Sequence, residues 1–267
     1  MLKLPRFSGA VLFGVFCCSI VYGQAQEATP YSRDNCIKVK EGKGQEFSAY
    51  MKEVAKLYKV RVDDGSIQIA VIAQGVSPAG RSARCDYHFY SIYPGFPPEA
   101  AGPEKVAADM KKAGITMSRE AMLAKRDELS YLVSTDVWRG WERIGRSEKG
   151  NYARINFFKV KAGMTGDWLR MERAGWKQLA EEDAKQNPGA GWRLSTLAMP
   201  GGASLAYNAM TIDIFPSWEA LGKGTPVRAI WNKVHPNMDF TTYMDRVGAL
   251  AERPRTDVVK LIEIFQK

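Results

Sequence analysis

The chain has 267 residues, of which 45% are hydrophobic, 25% charged and 11% aromatic, and its formal net charge is +9 at pH 7. This composition excludes a disordered chain, a collagen-like repeat and a small disulfide-rich scaffold, and the length suits one large domain or two of about 100–150 residues. No nucleotide-binding loop, nucleophile elbow or paired Cys-x-x-Cys sequence is present, so no motif fixes a reaction.

The N-terminal segment has the three parts of a secretory signal peptide. Lys3 and Arg6 supply a positive start, an apolar stretch covers residues 10–21, and the small residue Gly23 follows. The apolar stretch is shorter than the roughly 20 residues that a membrane-spanning helix needs, which disfavours an uncleaved anchor. We therefore predict a signal peptide over residues 1–23, a secreted or periplasmic mature protein, and no membrane span after cleavage.

The first half of the remaining chain predicts the order strand, helix, strand, strand, helices, strand. Apolar residues between Phe47 and Tyr58 recur at steps of three and four, which indicates an amphipathic helix. Ile67, Ile69 and Val71 alternate with other residues as in a half-buried strand. The predicted elements are a strand over 36–41, a helix over 47–58, strands over 67–71 and 87–93, helices over 103–114 and 118–129, and a strand over 134–144.

The second half repeats this order. Asn187-Pro188-Gly189 and Pro200-Gly201-Gly202 contain the residue types that reverse the chain. The predicted elements are a strand over 152–161, a helix over 165–179, strands over 191–199 and 204–215, helices over 226–234 and 240–252, and a strand over 256–265.

Cys36 and Cys85 would be the cysteines left after signal cleavage. A disulfide needs Cα atoms within about 7 Å of each other. The predicted strands place both cysteines at strand starts on antiparallel neighbours, and therefore at opposite ends of the pair. We expect no intramolecular bridge.

The surplus of positive charge does not by itself indicate a nucleic-acid partner. Lys52, Lys56 and Lys59 recur at helical spacing, but Glu46 and Glu53 lie near them, a pattern typical of a solvated helix face. The chain has no aromatic-plus-basic pattern of a nucleic-acid module. We predict no nucleic-acid partner.

Two sequence blocks recur at a displacement of 121 residues. Ile37-Lys38-Val39-Lys40 matches Phe158-Lys159-Val160-Lys161. Far downstream, Thr135-Asp136-Val137 matches Thr256-Asp257-Val258. Because two distant blocks agree on one offset, an internal duplication explains them better than chance.

Each copy has the β-α-β-β-α-β order of the ferredoxin-like arrangement, in which helices cover one face of a four-stranded sheet. The other face would be bare, and aromatic side chains on it must be covered. We therefore predict an α+β protein of two ferredoxin-like repeats, residues 33–146 and 150–267, whose antiparallel sheets pack face to face.

In element order and in the duplicated strand sequences, the chain from residue 33 to 267 resembles the tandem dimeric α/β-barrel proteins. That superfamily includes cofactor-free monooxygenases, EthD-like proteins, muconolactone isomerases, stress-responsive barrel proteins, and the haem-binding chlorite dismutases and dye-decolourising peroxidases. The resemblance implies the fold, whereas function depends on the residues of a site.

The aromatic strand 87–93 carries the strongest candidate site. Alternation places Asp86, His88 and Tyr90 on one face of the sheet. The aspartate could orient the histidine ring, and the trio is suited to acid–base work or to binding a phenolic or quinone ligand. A structural polar pair at the end of the barrel is the alternative. The matching place in the second copy holds Ala206, Asn208 and Met210 or their neighbours.

The recurring Thr-Asp-Val block continues to Arg139 in the first copy and to Lys260 in the second. These cations could reach acids across the sheet junction, which contributes little when the pair is solvated. We interpret the block as structural, with anion binding by Arg139 as the alternative.

His88 and His235 are the only histidines in the sequence. A zinc site needs three or four ligands at regular local spacing, which the chain lacks, so we predict no metal and no cofactor. Haem is a minor alternative, because the resembling haem enzymes hold their axial ligand in the second repeat, where His235 lies. Otherwise His235 is a helix-end residue near carbonyl dipoles.

Together these patterns predict an exported, soluble protein that binds a small, partly aromatic molecule or a partner protein in the cell envelope. The alternative is a cofactor-independent oxygenase or isomerase whose pocket is lined by Asp86, His88 and Tyr90. Either function is compatible with a homo-oligomer.

Overall fold

The computed structural model of the protein describes residues 29–78, 83–98, 102–202 and 205–267. The predicted signal peptide, residues 1–23, lies outside the described residues. In the part of the chain that is described, no helix is both long enough and apolar enough to cross a membrane.

Strands and helices follow the predicted order in both halves. The strands are β1 (Tyr31–Val39), β2 (Ile69–Ser77), β3 (Tyr87–Tyr93), β4 (Ser130–Gly145), β5 (Tyr152–Val160), β6 (Gly191–Met199), β7 (Ala209–Phe215) and β8 (Ala251–Gln266). The helices are α1 (Gly44–Asp63), α2 (Pro103–Lys112), α3 (Arg119–Leu129), α4 (Thr165–Glu172), a π-helical turn (Arg173–Lys177), α5 (Gln178–Gln186), α6 (Trp218–Lys223), α7 (Val227–Val234) and α8 (Phe240–Leu250).

The two halves share one topology. The first half has the sheet order β4-β1-β3-β2, and the second half has the equivalent order β8-β5-β7-β6. β5 and β8 begin and end 121 residues after β1 and β4, whereas β6 and β7 lie 122 residues after β2 and β3. The predicted pair of ferredoxin-like repeats is confirmed, with a one-residue difference in the middle of each repeat.

The two sheets face each other and also join at their edges. β4 and β8 are 16 residues long. The first part of β4 pairs with β1 of its own sheet, and Val137–Gly145 pairs with β6 of the other sheet. β8 joins β5 to β2 in the same way. Within the described residues, the eight antiparallel strands therefore form one closed barrel that leaves no unpaired sheet edge.

The helices cover the outer face of the barrel. On α1, Phe47, Met51, Tyr58 and Val62 are buried at helical spacing and pack on the sheet in the same cluster as Phe89. Each such side chain contributes roughly 1.5–3 kcal/mol by leaving water. The second half has an equivalent cluster built around its tryptophans. With their outer face buried, the strands are fixed in register, and their alternate residues point into the barrel.

A turn glycine explains part of the repeated sequence. Gly42 and Gly163 follow the repeated strand block and have φ values of 76° and 78°. Glycine adopts this left-handed conformation without the penalty that a Cβ imposes. The turn leads directly into α1 and α4 at equivalent positions.

The expectation that Cys36 and Cys85 remain apart is wrong. They form a disulfide, with 5.3 Å between their Cα atoms. The expectation failed because β1 begins at Tyr31 rather than at Cys36, so Cys36 lies in the second half of its strand. In the antiparallel register Cys36 is opposite His88, near the start of β3, and Cys85 comes just before that strand.

Candidate functional site

A cavity of about 470 Å³ lies inside the barrel and is called the barrel cavity here. Four of the polar side chains that line it come from β1 and β3 of the first repeat: Ser32, Asp34, His88 and Tyr90. The equivalent residues of the second repeat line the same cavity and are apolar: Ala153, Ile155, Met210 and Ile212. One wall can therefore make hydrogen bonds while the opposite wall offers a hydrophobic surface.

His88 and Asp34 form the central pair of this polar wall. His88 is 6% exposed, and its Nδ1 lies 3.0 Å from Oδ2 and 3.2 Å from Oδ1 of Asp34. Asp34 is opposite Tyr90 in the sheet register, which makes it the diagonal neighbour of His88 on the same face. A carboxylate that accepts the Nδ1–H leaves the lone pair of a neutral imidazole on Nε2.

The environment favours the protonated form of His88. Burial alone would lower the pKa of His88, but the charge and hydrogen bond of Asp34, together with the charge of Asp257, outweigh it. Arg255 acts in the opposite direction. The net result is a pKa above the ordinary value of 6.5.

Tyr90 extends the polar wall. Its hydroxyl accepts a hydrogen bond from Ser32 Oγ at 2.5 Å. Burial raises the pKa of Tyr90 to about 12, so the phenol stays neutral and can donate its proton to a ligand. Tyr90 is thus a hydrogen-bonding group rather than a base.

Two arginines, Arg143 and Arg193, also line the barrel cavity, and neither has a carboxylate partner in the described part of the chain. Arg193 donates hydrogen bonds to the backbone carbonyls of Ile144, Trp192 and Gly145. Burial lowers the pKa of Arg193 to about 9, and the charge of Arg143 contributes, so the guanidinium remains protonated at neutral pH. Among the described residues, neither arginine forms an ion pair.

Glu142 also lines the barrel cavity, but its carboxylate pairs with cations other than Arg143 and Arg193. Its carboxylate lies 2.7 Å from Arg173 Nε and 2.9 Å from Lys177 Nζ. The carboxylate of Glu142 therefore does not balance the positive charges of Arg143 and Arg193.

The structure brings His88 and Tyr90 together, as the alternation predicts, but it places Asp86 elsewhere. Asp86 accepts hydrogen bonds from Lys38 Nζ at 3.0 Å and from the Val39 amide at 2.8 Å. Asp34 orients the ring of His88 instead. It can do so because β1 begins at Tyr31, so that Asp34 lies on the strand beside β3.

The matching of the second repeat to this site also needs correction. β3 and β7 are displaced by 122 residues, so Met210 is the equivalent of His88 and Asn208 that of Asp86. Asn208 caps the Val160 amide at 2.8 Å, as Asp86 caps Val39, which supports a structural role for both.

Arg139 lies outside the barrel cavity. Its guanidinium stacks on Trp141, with 4.2 Å between its central carbon and the ring centroid. A shift of register between Gly140 and Glu142 interrupts the alternation of β4 next to Arg139. Anion binding by Arg139 finds no support in this position, whereas Arg193 and Arg143 line the cavity.

His235 does not fit a haem ligand. It is 8% exposed, does not line the barrel cavity, and its ring centroid lies 4.3 Å from that of Trp231. Its Nε2 donates to the Gly175 carbonyl at 3.0 Å, so that nitrogen carries a proton rather than a free lone pair. Within the described ranges, no group of three or more His, Cys, Asp or Glu side chains could hold a metal ion.

We expect NMR to find the pKa of His88 above 6.5, and to find it lowered below that value in the Asp34→Asn variant. Burial is the largest single influence on the ring, and with Asp34 neutralised the remaining charges no longer outweigh it. The His235→Gln background leaves one histidine signal to follow through the titration.

The same pKa shift fixes the sign of the pH dependence of stability. A raised folded-state pKa contributes stability that is complete below pH 6.5 and is lost as the pH rises through the folded-state value. An unchanged His88 titration in Asp34→Asn would contradict the pairing.

The chain is similar in structure to several solved proteins. It superposes on a candidate monooxygenase from Lactobacillus acidophilus with a TM-score of 0.55 and 9% identity, over 89% of this chain and 96% of that one. A candidate monooxygenase from Fusobacterium nucleatum gives 0.56 and 10%, over 90% and 95%. An anthrone oxidase-like protein gives 0.50 and 13%, over 90% and 93%.

These identities are low enough that the comparisons establish the fold alone. No protein-family model matches the sequence, and no curated protein matches it. The closed eight-stranded barrel, the repeated topology and the similar structures lead to one conclusion: this chain has the dimeric α/β-barrel fold, with both ferredoxin-like halves in one polypeptide.

Proposed function

We propose that the protein binds a small aromatic acid in the barrel cavity and that the Asp34–His88 pair removes a proton from it. The observation that carries the proposal is a buried histidine whose Nδ1 is held by a carboxylate in a cavity of about 470 Å³. Neutral imidazole in this arrangement is a general base, and a carboxylate at its other nitrogen stabilises the imidazolium that forms.

The walls select the class of molecule. The apolar residues of the second repeat suit an aromatic ring system, while Tyr90 offers a hydroxyl and Arg193 an unpaired cation. Loss of a proton from the ligand produces an anion, and Arg193 with protonated His88 would stabilise it. The favoured ligands are phenols, enols and ring systems with an acidic C–H.

We propose oxygenase chemistry with dioxygen as the co-reactant. His88 takes a proton from an acidic CH₂ group, and the resulting carbanion is oxidised by O₂, which forms a C–O bond and takes a proton to give a hydroperoxide. Loss of water then leaves a ketone, so one CH₂ group and one O₂ give one C=O and one H₂O. The similar proteins described as monooxygenases and as anthrone oxidase-like support this choice without establishing it.

The test is oxygen consumption by the purified protein with anthrone as the substrate. We expect one O₂ consumed per anthrone, with anthraquinone as the product, at a rate above that of the protein-free buffer. Since neutral His88 is the base, the rate should rise with pH through a midpoint above 6.5. The oxygenase assignment would be overturned if oxygen uptake were no faster than in buffer for every substrate in a set of ring systems of different sizes.

Arg193→Gln is expected to weaken binding of 2-naphthoate by about 10–100-fold, because a charged hydrogen bond contributes roughly 1.5–3 kcal/mol. Binding of the neutral 2-naphthalenemethanol should change much less. Arg146→Gln removes an exposed arginine outside the cavity lining and is the matched control. Equal losses for both probes, measured by calorimetry, would contradict an anion subsite.

Binding without catalysis in the cell envelope is the second candidate. The signal-like segment over residues 1–23 and the Cys36–Cys85 disulfide favour an oxidising compartment. Tight binding of 2-naphthoate with no oxygen uptake would select this function.

N-terminal sequencing of protein recovered from the envelope fraction tests export, with a mature start soon after Gly23 as the expected result. Homo-oligomerisation stays a prediction.

A further inference from the structure

A second cavity, of about 380 Å³, lies on the opposite side of the second repeat's sheet, beneath its helices. We call it the outer cavity. Its lining includes Trp176 and Trp192, which supply large aromatic surfaces. Its charged members are the acids Glu172, Asp183 and Asp213 and the bases Arg154 and Arg253. Met244 and Gly248 also line it and are exposed, so the cavity reaches the protein surface.

Glu172 is the unusual member of this lining. The residue is 2% exposed, and its Oε2 is buried without a hydrogen-bond partner. Burial, with a contribution from the charge of Asp213, raises the pKa of Glu172 to about 8. A buried polar group without a partner is costly, and such groups in a folded protein call for an explanation.

The first repeat supplies an internal comparison. The residue equivalent to Glu172 is Met51, which is buried in the hydrophobic cluster under α1. Asp213 corresponds to Ser91, and Thr211, which also lines the outer cavity, corresponds to Phe89. The first repeat is therefore complete without a carboxyl at these positions, and the carboxyl of Glu172 is not needed to build the fold.

The backbone beside Glu172 is also altered. The π-helical turn Arg173–Lys177 starts directly after it, at the point where the second repeat holds one more residue than α1. The turn is tightly fixed, because a Cβ on Gly175 would lie 2.4 Å from the Tyr243 ring. Single π-turns inside α-helices occur frequently at functional sites.

Other charged and polar groups lie on the elements around the outer cavity. Asp213 on β7 accepts a hydrogen bond from Asn156 Nδ2 at 2.9 Å, and the charges of Arg154 on β5 and Arg253 on β8 act on it. Asp183 on α5 accepts from the Thr225 hydroxyl at 3.1 Å. Tyr243 on α8 donates its hydroxyl proton to the Met171 carbonyl. Asp213, Asp183 and Tyr243 each have a hydrogen-bond partner, whereas Oε2 of Glu172 has none among the described residues.

We propose that the outer cavity binds a small organic monocation, an arylalkylammonium, whose ammonium group pairs with Glu172 and whose ring packs against Trp176 and Trp192. A cation supplies the missing partner of the carboxyl, and tryptophan faces attract cations and pack against apolar rings. A metal ion is disfavoured, since the described residues hold no cluster of three ligating side chains.

Calorimetry with benzylamine, using benzyl alcohol as the neutral probe of the same shape, tests the proposal in the full chain. We expect benzylamine to bind and benzyl alcohol to bind at least tenfold more weakly. Because the Glu172 proton must leave when the cation enters, affinity should rise as the pH increases from 6 toward 8. At pH 6.5 binding should release about one proton, detected by comparing buffers of different ionisation enthalpy.

Two variants separate a binding role from a structural one. Glu172→Gln should weaken benzylamine binding at least tenfold and abolish the proton release. Glu172→Met installs the residue of the first repeat, and we expect it to abolish binding while raising the melting temperature. Glu219→Gln, at an exposed site on α6, is the control that should change neither benzylamine binding nor the melting temperature.

The contrary outcomes are equally distinct. Equal binding of both probes, or unchanged binding in Glu172→Gln, would overturn the proposal. A lower melting temperature in Glu172→Met, without any benzylamine binding in the wild type, would assign Glu172 to the structure instead. Because the barrel cavity contains neither Glu172 nor Asp213, these results do not depend on oxygen consumption.

Discussion

Replacement of His88 by asparagine should reduce anthrone-dependent oxygen consumption by about 100-fold or more, the range expected for loss of a general base. The asparagine Nδ2 can keep the hydrogen bond that His88 Nδ1 makes with Asp34, whereas nothing replaces Nε2. The buried carboxylate therefore retains a partner, and the fold should survive. The measurement is kcat/KM from oxygen uptake between pH 5 and 9.

The control for this variant is His235→Gln. A glutamine Nε2 can replace the ring nitrogen that bonds the Gly175 carbonyl, and His235 lies outside the barrel cavity. We expect this variant to keep both the rate and its pH midpoint. Binding of 2-naphthoate to His88→Asn shows whether the cavity is still formed. Unchanged oxygen uptake in a variant that still binds would remove His88 from the mechanism.

The strands and repeats could be predicted from the sequence because they depend on local patterns. The aromatic content of Tyr87–Tyr93 indicated β3, and the repeated block at 121 residues tied β1 to β5 and β4 to β8. The start of α3 is also fixed locally, since the Ser118 hydroxyl accepts a hydrogen bond from the Ala121 amide at 3.1 Å. Burial of a sheet face leaves this periodicity in the sequence wherever the fold requires it.

The site residues depended on register and were harder to find. Placing the start of β1 at Cys36 hid Ser32 and Asp34, although alternation from Tyr31 would have put both on the face that carries Cys36. Arg193 could not be connected to His88, because β6 and β3 belong to different repeats and meet only across the closed barrel. Contacts of this kind are set by tertiary packing, which no local pattern encodes.

The two repeats differ in which side of the sheet carries polar groups. In the first repeat, Asp34 and His88 face the barrel, while Met51 and Phe89 fill the space under the helices. In the second repeat the equivalent inner positions, Ile155 and Met210, are apolar, and the outer side holds Glu172 instead. A sheet needs at least one well-packed hydrophobic face to stabilise it, so duplication allows each copy to place a polar cavity on a different face.

Removal of the Cys36–Cys85 disulfide is expected to lower the free energy of unfolding by roughly 2–4 kcal/mol. The bond closes a segment with a sequence separation of 49 residues, so it restricts a large part of the unfolded chain. For a chain of this size, the loss corresponds to a melting temperature lower by about 5–15 °C. Calorimetry on the Cys36→Ser/Cys85→Ser variant measures it.

The same bond also holds the Asp34–His88 pair in register. Cys36 lies two residues after Asp34, and Cys85 three residues before His88, so the disulfide links β1 to the start of β3 beside both groups. At the equivalent place the second repeat has a packed pair of rings, Phe157 and Tyr207, with centroids 4.7 Å apart. A reductant should therefore destabilise the wild type and leave the double-serine variant unchanged. Equal melting temperatures for the wild type with and without reductant, once thiol titration confirms that the bond is broken, would show that packing alone fixes this end of the barrel.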